Sequence, residues 1–418
     1  MIPFAELFRV FGRIGLLSFG GPAAQIALMH KELVEDRKWL EEDGFLRALS
    51  FCMMLPGPEA MQLATYAGWR LRGTLGGLIS GGLFVLPGAL IIACLTLIYA
   101  RFGDVPLVQA AMSGIKATVV VVVAQALIAL SRKTLTNRRA LGLAFLAFVG
   151  LFALGLPFPV IVLGAGLFGA LSAPVAAQLT DTRAAIVTPP GRIVTSVLTW
   201  IALWLLPLVA LSALGFSFLA ELGWFFAKLA VVTFGGAYAV LAYMSQTVVE
   251  DYGWITSLQM IDALGLAETT PGPLILVTQF VAMLSGALQG GLGLALAAGA
   301  VALWATFVPC FLWIFTAAPF LERITGHRRL GAALKAITCA VVGVILNLST
   351  WFFLLVVFDT VTPARFGPVQ LPVPDAAGFD PVAVGLIGCA AVLLAVMKLP
   401  LVRVLPLMAA IGCGAQLL

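Results

Sequence analysis

Hydrophobic positions along this chain come in long blocks, not in the one-faced or alternating patterns of a soluble helix or a half-buried strand. Blocks that are apolar all round and about 20 residues long match the thickness of a bilayer's hydrocarbon core. Residues 4–33 read as one helical segment broken at Gly20-Gly21-Pro22. A polar connection follows, from Glu35 to Asp43, with Asp36, Trp39 and Glu41. Residues 44–69 form a second segment, broken at Pro56-Gly57-Pro58. Apolar spans at 75–100 and 107–130 come next and end at the basic loop Arg132-Lys133 to Arg138-Arg139. A shorter pair, 140–155 and 159–178, turns at Leu156-Pro157-Phe158-Pro159. Residues 179–192, with Asp181, Arg183 and Pro189-Pro190, look like a linker, and one span, 193–214, stands alone. Six more spans follow, at 218–249, 257–287, 291–318, 331–357, 381–397 and 401–417. The expected fold is an all-α polytopic membrane protein with about 13 membrane segments.

The second set of six repeats the first. At a constant offset of 215, residues 19–58 and 234–273 share fifteen of forty positions without a gap. Such skewed usage of Gly, Ala, Leu and Val gives about one in ten by chance. The matches include Phe19/Phe234, Gly20/Gly235, Gly21/Gly236, Asp36/Asp251, Trp39/Trp254 and the whole of Pro56-Gly57-Pro58 against Pro271-Gly272-Pro273. A weaker echo sets Lys116 against Lys335.

Basic residues mark cytoplasmic loops, and matched loops of the two copies carry opposite signals. Arg70 and Arg72 follow the first Pro-Gly-Pro segment, whereas Ser285 to Gly290 carries no charge. Arg101 to Pro106 has one Arg offset by Asp104; its counterpart has Arg323, Arg328 and Arg329. The four bases between Arg132 and Arg139 face a loop, Asp359 to Asp380, with Arg365 against three aspartates. Six spans, one linker span and six spans produce that reversal with the N-terminus inside. The expected plan is therefore an inverted-topology repeat of two six-span halves: residues 1–178, a linker with one span at 179–217, and residues 218–418.

Composition narrows the classes. The chain of 418 residues is 61% hydrophobic and 10% charged, with mean hydropathy +1.09. A soluble domain is nearer a quarter charged. The net charge of +5 is scattered over short loops, so it speaks for lipid contact and topology and not for nucleic acid. Six single cysteines and only His30 and His327 give no metal-ligand spacing, and no cofactor motif occurs. No nucleophile–base pair appears, so a membrane-embedded enzyme is disfavoured. Glu6, Arg9 and Arg13 interrupt the first apolar run, which is not read as a cleavable signal.

The helix breaks are the candidate site. Pro-Gly-Pro cannot continue a helix, and in lipid a broken backbone is tolerated only where protein or a water-filled cavity satisfies it. Helix starts after Gly21-Pro22, Pro58, Gly236 and Pro273 would offer free N–H groups and a positive dipole end to an anion. The candidate substrate-binding residues are Gly20, Gly21, Pro22, Gln25, Pro56, Gly57, Pro58 and Gln62 in the first copy. Gly235, Gly236, Thr270, Pro271, Gly272 and Pro273 join them from the second. Lys116 and Lys335 lie within apolar stretches and would either attract an anion or snorkel to a nearby interface. Glu59 and Glu268 beside the breaks are proton-coupling candidates; Glu59 could equally serve as a helix cap.

Phe19-Gly20-Gly21-Pro22, Trp39, Leu55-Pro56-Gly57-Pro58, Gly68-Trp69-Arg70-Leu71-Arg72-Gly73, Phe234-Gly235-Gly236 and Thr270-Pro271-Gly272-Pro273 resemble the motifs of the chromate transporter family. The likeness is closest to its long, two-domain bacterial members and covers nearly the whole chain. It implies efflux of chromate, a tetrahedral dianion that mimics sulfate, across the bacterial inner membrane, with chromate resistance as the outcome. It further implies proton-driven or sulfate-exchanging antiport. A sulfate or other oxyanion carrier is the alternative, and a homodimer is the habit of such transporters. Ala237 stands where the first copy has Pro22, which predicts a softer second Gly-Gly break.

Overall fold

The computed structural model describes residues 2–172, 190–234, 237–321, 327–367 and 369–415. Gly235, Gly236, Asp181, Arg183 and Arg323 lie outside the described residues. Among the described residues the architecture is all-α apart from one hairpin. Five helical runs among the described residues are long and apolar enough to cross a bilayer: Glu59–Phe102, Pro106–Thr134, Ile193–Ala213, Leu274–Phe320 and Arg328–Val357. Shorter apolar helices, Phe158–Ser172, Pro381–Val396 and Leu401–Ala415, occupy three more of the expected spans. The hairpin pairs Val361–Phe366 with Val369–Pro374, where the sequence reading had only a charged loop. Alternating Val369, Leu371 and Val373, with Gly367 at φ +63° in the turn, account for it.

Two of the long runs reverse direction inside themselves. In Glu59–Phe102, Arg72 (φ −143°, ψ 25°) and Gly73 (φ 66°, ψ −158°) leave the helical region. A Cβ on Gly68 would lie 2.3 Å from the Gly76 carbonyl oxygen and 2.2 Å from Ser80 Oγ. In a straight helix positions 68 and 80 stand about 18 Å apart, so the two limbs fold back on each other. The first limb, from Glu59 to Leu71, is about 20 Å long, short of the hydrocarbon core. Val277–Ala317 does the same at Gly290 (φ −151°, ψ 19°) and Gly291 (φ 72°, ψ −159°). There a Cβ on Gly286 would lie 2.7 Å from the Leu294 carbonyl oxygen. The sequence repeat is thus a repeat of backbone geometry. The polar connections agree: Lys31–Asp36 and Ser245–Asp251 both widen into π turns. Lys38 (φ 54°) and Gly253 (φ 61°) then share the left-handed region. The backbone N–H groups of Trp39 and Trp254 donate to the Leu33 and Val248 carbonyls at 2.8 and 3.0 Å.

The chain forms two compact units, each drawn from both sequence halves. Unit 1 comprises Met1–Leu97, Ala173–Ala237 and Thr270–Gly331; unit 2 comprises Ile98–Ser172, Tyr238–Thr269 and Ala332–Leu418. In unit 1, glycines let backbones touch: a Cβ on Gly15 would lie 2.1 Å from the Leu83 carbonyl oxygen, and one on Gly88 2.1 Å from that of Pro271. In unit 2, Pro106–Thr134 is the central helix. Ala117 and Val121 on it pack with Leu386, Ala390, Val404 and Met408 from the two C-terminal helices, and Gly114 abuts the Met408 carbonyl.

Gly73→Ala and Gly291→Ala should each lower stability by about 1–3 kcal/mol, because that backbone region is essentially closed to residues with a Cβ. Thermal unfolding of the detergent-solubilised protein reads the loss. Gly82→Ala, in the second limb with open space around it, should show none.

Candidate functional site

Both Pro-Gly-Pro breaks lie in unit 1, and each is tied to the other copy. The first follows the helix Glu42–Cys52 and precedes the limb starting at Glu59; the second follows Ser257–Glu268 and enters a short turn, Leu274–Leu276. Gly57 (φ 109°) and Gly272 (φ 94°) sit at the sharp point of each, in conformations that favour glycine. Gly57 N–H donates to the Thr233 carbonyl at 3.0 Å, just past the helix Ser217–Val232. Gly272 N–H donates to the Ser18 carbonyl at 2.8 Å, just past the helix Phe4–Leu17. Ser18 and Thr233 are themselves 215 apart. Their hydroxyls turn back to Ile14 and Leu229 carbonyls. The pairing is therefore reciprocal.

Side-chain amides complete the bracing. The Gln25 amide donates to the Gly272 carbonyl at 2.6 Å and to the Ser18 carbonyl at 3.3 Å. The Gln62 amide donates to the Pro56 carbonyl at 2.6 Å. Both glutamines are buried, and the Oε1 of each has no hydrogen-bond partner. Pro22, Gln25, Gly57, Pro58, Glu59, Thr233 and Pro273 line one cavity with space for about one water, ≈ 10 Å³. Two helix starts reach this region. Gly20 (φ 87°) precedes Gly21–His30, with Pro22 in its first turn where a missing N–H costs little. Glu59 opens the other.

Six sequence candidates, Pro22, Gln25, Gly57, Pro58, Glu59 and Pro273, thus line a common space. Gly20, Gly21, Pro56 and Gln62 flank it in the same unit, as do Thr270, Pro271 and Gly272. Gly235 and Gly236 are among the residues not described. Lys116, Lys335 and Glu268 belong to unit 2. Lys335 is exposed near the start of Arg328–Val357, as a snorkelling lysine would be. Lys116 is half-buried, its Nζ 3.5 Å from Asp262 Oδ1. Glu268, 6% exposed, accepts from Tyr238 O–H at 2.9 Å. The sequence reading passed over Thr233 and Asp262. Thr233 could have been found because it precedes Phe234-Gly235-Gly236 as Ser18 precedes Phe19-Gly20-Gly21. Asp262 could have been found as the lone carboxylate between Ser257 and Ala267 in an apolar span.

Long apolar helices, two internally reversed runs and broken backbone braced at reciprocal points define a polytopic α-helical membrane protein. The model of the family described as "Chromate transporter" matches residues 5–170 and 220–415, and the chain belongs to that family. Among curated proteins it is 30% identical to the probable chromate transport protein of Synechococcus elongatus, over 81% of this chain and 82% of that one. It is 30% identical to the chromate transport protein of Cupriavidus metallidurans, over 81% and 80%. The chromate transport protein of Pseudomonas aeruginosa is also 30% identical, over 82% and 79%. No solved structure matches the chain. The family description is that of a transport protein.

Gln25→Leu removes the donors to two buried carbonyls and should cost about 1–3 kcal/mol. Thermal unfolding in detergent measures it. An unchanged midpoint would mean that Gln25 does not brace the second break.

Proposed function

We propose that this protein is a secondary transporter that exports chromate, or a sulfate-like dianion, across the bacterial inner membrane and so confers chromate resistance. The observation that carries the reading is the reciprocal pair of bonds, Gly57 to Thr233 and Gly272 to Ser18, at positions 215 apart. Such reciprocity is what two structurally equivalent halves related by a pseudo-twofold axis would produce. With the opposed loop charges, it supports two six-span halves, 1–178 and 218–418, of inverted topology, joined through 179–217, with a cytoplasmic N-terminus. About 13 membrane segments complete that plan, the first limbs of the reversed helices re-entering and not crossing.

The site at the breaks suits an anion, because helix starts at Gly21 and Glu59 supply N–H groups and positive dipole ends. Its water-sized cavity is smaller than any tetrahedral oxyanion, so the geometry described is a closed one and binding requires the breaks to part. Gln25 Oε1, buried and unpaired, would accept from a water or from the hydroxyl of a protonated oxyanion. Relatives that carry the name of chromate transport proteins support chromate as the first substrate to test. Transport would draw on the proton gradient or on anion exchange, and the working form would be a homodimer in lipid.

Chromate uptake into everted membrane vesicles, with and without a pH gradient and with sulfate as competitor, tests the reading. Uptake blocked by sulfate is the expected result. Gly57→Val and Gly272→Val should abolish uptake while the proteins still insert, since a Cβ on Gly57 already meets Gln62 Nε2 at 3.0 Å and Cys310 Sγ at 3.2 Å. Normal uptake by both variants would remove the breaks from the binding site.

A further inference from the structure

Unit 2 holds a second polar centre. Asp262 lies in the helix Ser257–Glu268, where every residue from Met260 to Glu268 is buried. Its Oδ2 accepts from Tyr99 O–H at 2.7 Å, and its Oδ1 lies 3.5 Å from Lys116 Nζ. Packing holds the pair in place. Gly265, one turn further on, is pressed against the helix Pro106–Thr134: a Cβ there would lie 2.4 Å from Ile115 Cγ2. Asp262 and Gly265 therefore share the face that meets Lys116.

As a stabiliser this pair is a poor device. Desolvating two charges offsets their attraction, and an apolar pair of similar volume is often as stable or more so. Paired charges at membrane depth more often mark ion pathways. The pair also has no repeat partner, since the position matching Asp262 in the first copy is the exposed Arg47. Lys116 and Tyr99 are the groups that act on Asp262; Asp104 in turn acts on Tyr99, and Glu268 is the other carboxylate on the same helix.

We propose that Asp262 is the proton-binding residue of the transport cycle, with Lys116 as its electrostatic switch. A proton taken up by the carboxylate leaves the Lys116 ammonium without its counter-ion and loosens the contact between Ser257–Glu268 and Pro106–Thr134. Tyr99 keeps its own proton and donates to Asp262 in both states. Loss of the proton to the other side restores the ion pair. This rests on the reading of the chain as a coupled transporter and adds the residue that couples it.

The test compares the full-length protein with Asp262→Asn and with the charge-balanced double variant Lys116→Met/Asp262→Asn. Three readouts are taken: gradient-driven chromate uptake, chromate–chromate exchange at equal pH, and the infrared carbonyl band of a protonated carboxyl on acidifying the purified protein. Both variants should still exchange but lose gradient stimulation by at least about tenfold, a typical coupling factor. Both should also lose the Asp262 component of the wild-type carboxyl band and keep that of Glu268. Gradient stimulation restored in the double variant would make the pair structural and overturn the proposal, as would a carboxyl band unaltered by Asp262→Asn. A wild type without chromate flux would instead refute the substrate reading, and the infrared band would still decide the role of Asp262.

Discussion

Backbone hydrogen bonding at the two Pro-Gly-Pro breaks is the constraint on which the rest of unit 1 depends. An N–H or C=O left unpaired away from water costs about 1–3 kcal/mol, and more in hydrocarbon. Proline at each side of the glycine forbids the helix from supplying the partners. The chain solves this by taking Gly57 to the end of one first helix, at Thr233, and Gly272 to the end of the other, at Ser18. Because each break needs the other copy's helix end, neither half of the sequence can complete the site by itself. This is why unit 1 is assembled from three separated stretches.

The same constraint brings the functional geometry with it. Bracing the breaks places two helix starts and the Gln25 amide around one small cavity. The reversals at Gly73 and Gly291, both exposed, then turn each short first limb back into a second limb that runs on to the length of a span. The centre is hydrogen-bonded and nearly filled. Unit 2 supplies the ionisable groups, Asp262 and Lys116 on one contact and Glu268 with Tyr238 on another. Asp262, Lys116 and Glu268 thus belong to a different compact unit from the two breaks.

Much of this is legible in the chain because its signals are local. Apolar blocks give the spans, and the identity of Pro56-Gly57-Pro58 with Pro271-Gly272-Pro273 marks the breaks. The hairpin at Val361–Pro374 was missed because charge in the loop between Asp359 and Asp380 masked a short alternation. The reversal at Gly73 falls in the loop that the sequence marks with Arg70 and Arg72 between the spans 44–69 and 75–100. Lys116 drew attention as an isolated cation, but its partner Asp262 lies 146 positions away (262 − 116), beyond any local pattern.

By itself the sequence determined the membrane class, the repeat and the positions where helices must break, since all three follow from hydrophobicity and from the covalent limits of proline and glycine. Only the tertiary structure decided what satisfies the breaks and what neutralises the buried charges. Which carbonyl receives Gly57 N–H, and which carboxylate faces Lys116, are outcomes of packing between distant segments. Glycines such as Gly88 and Gly265 permit those contacts without naming the partner.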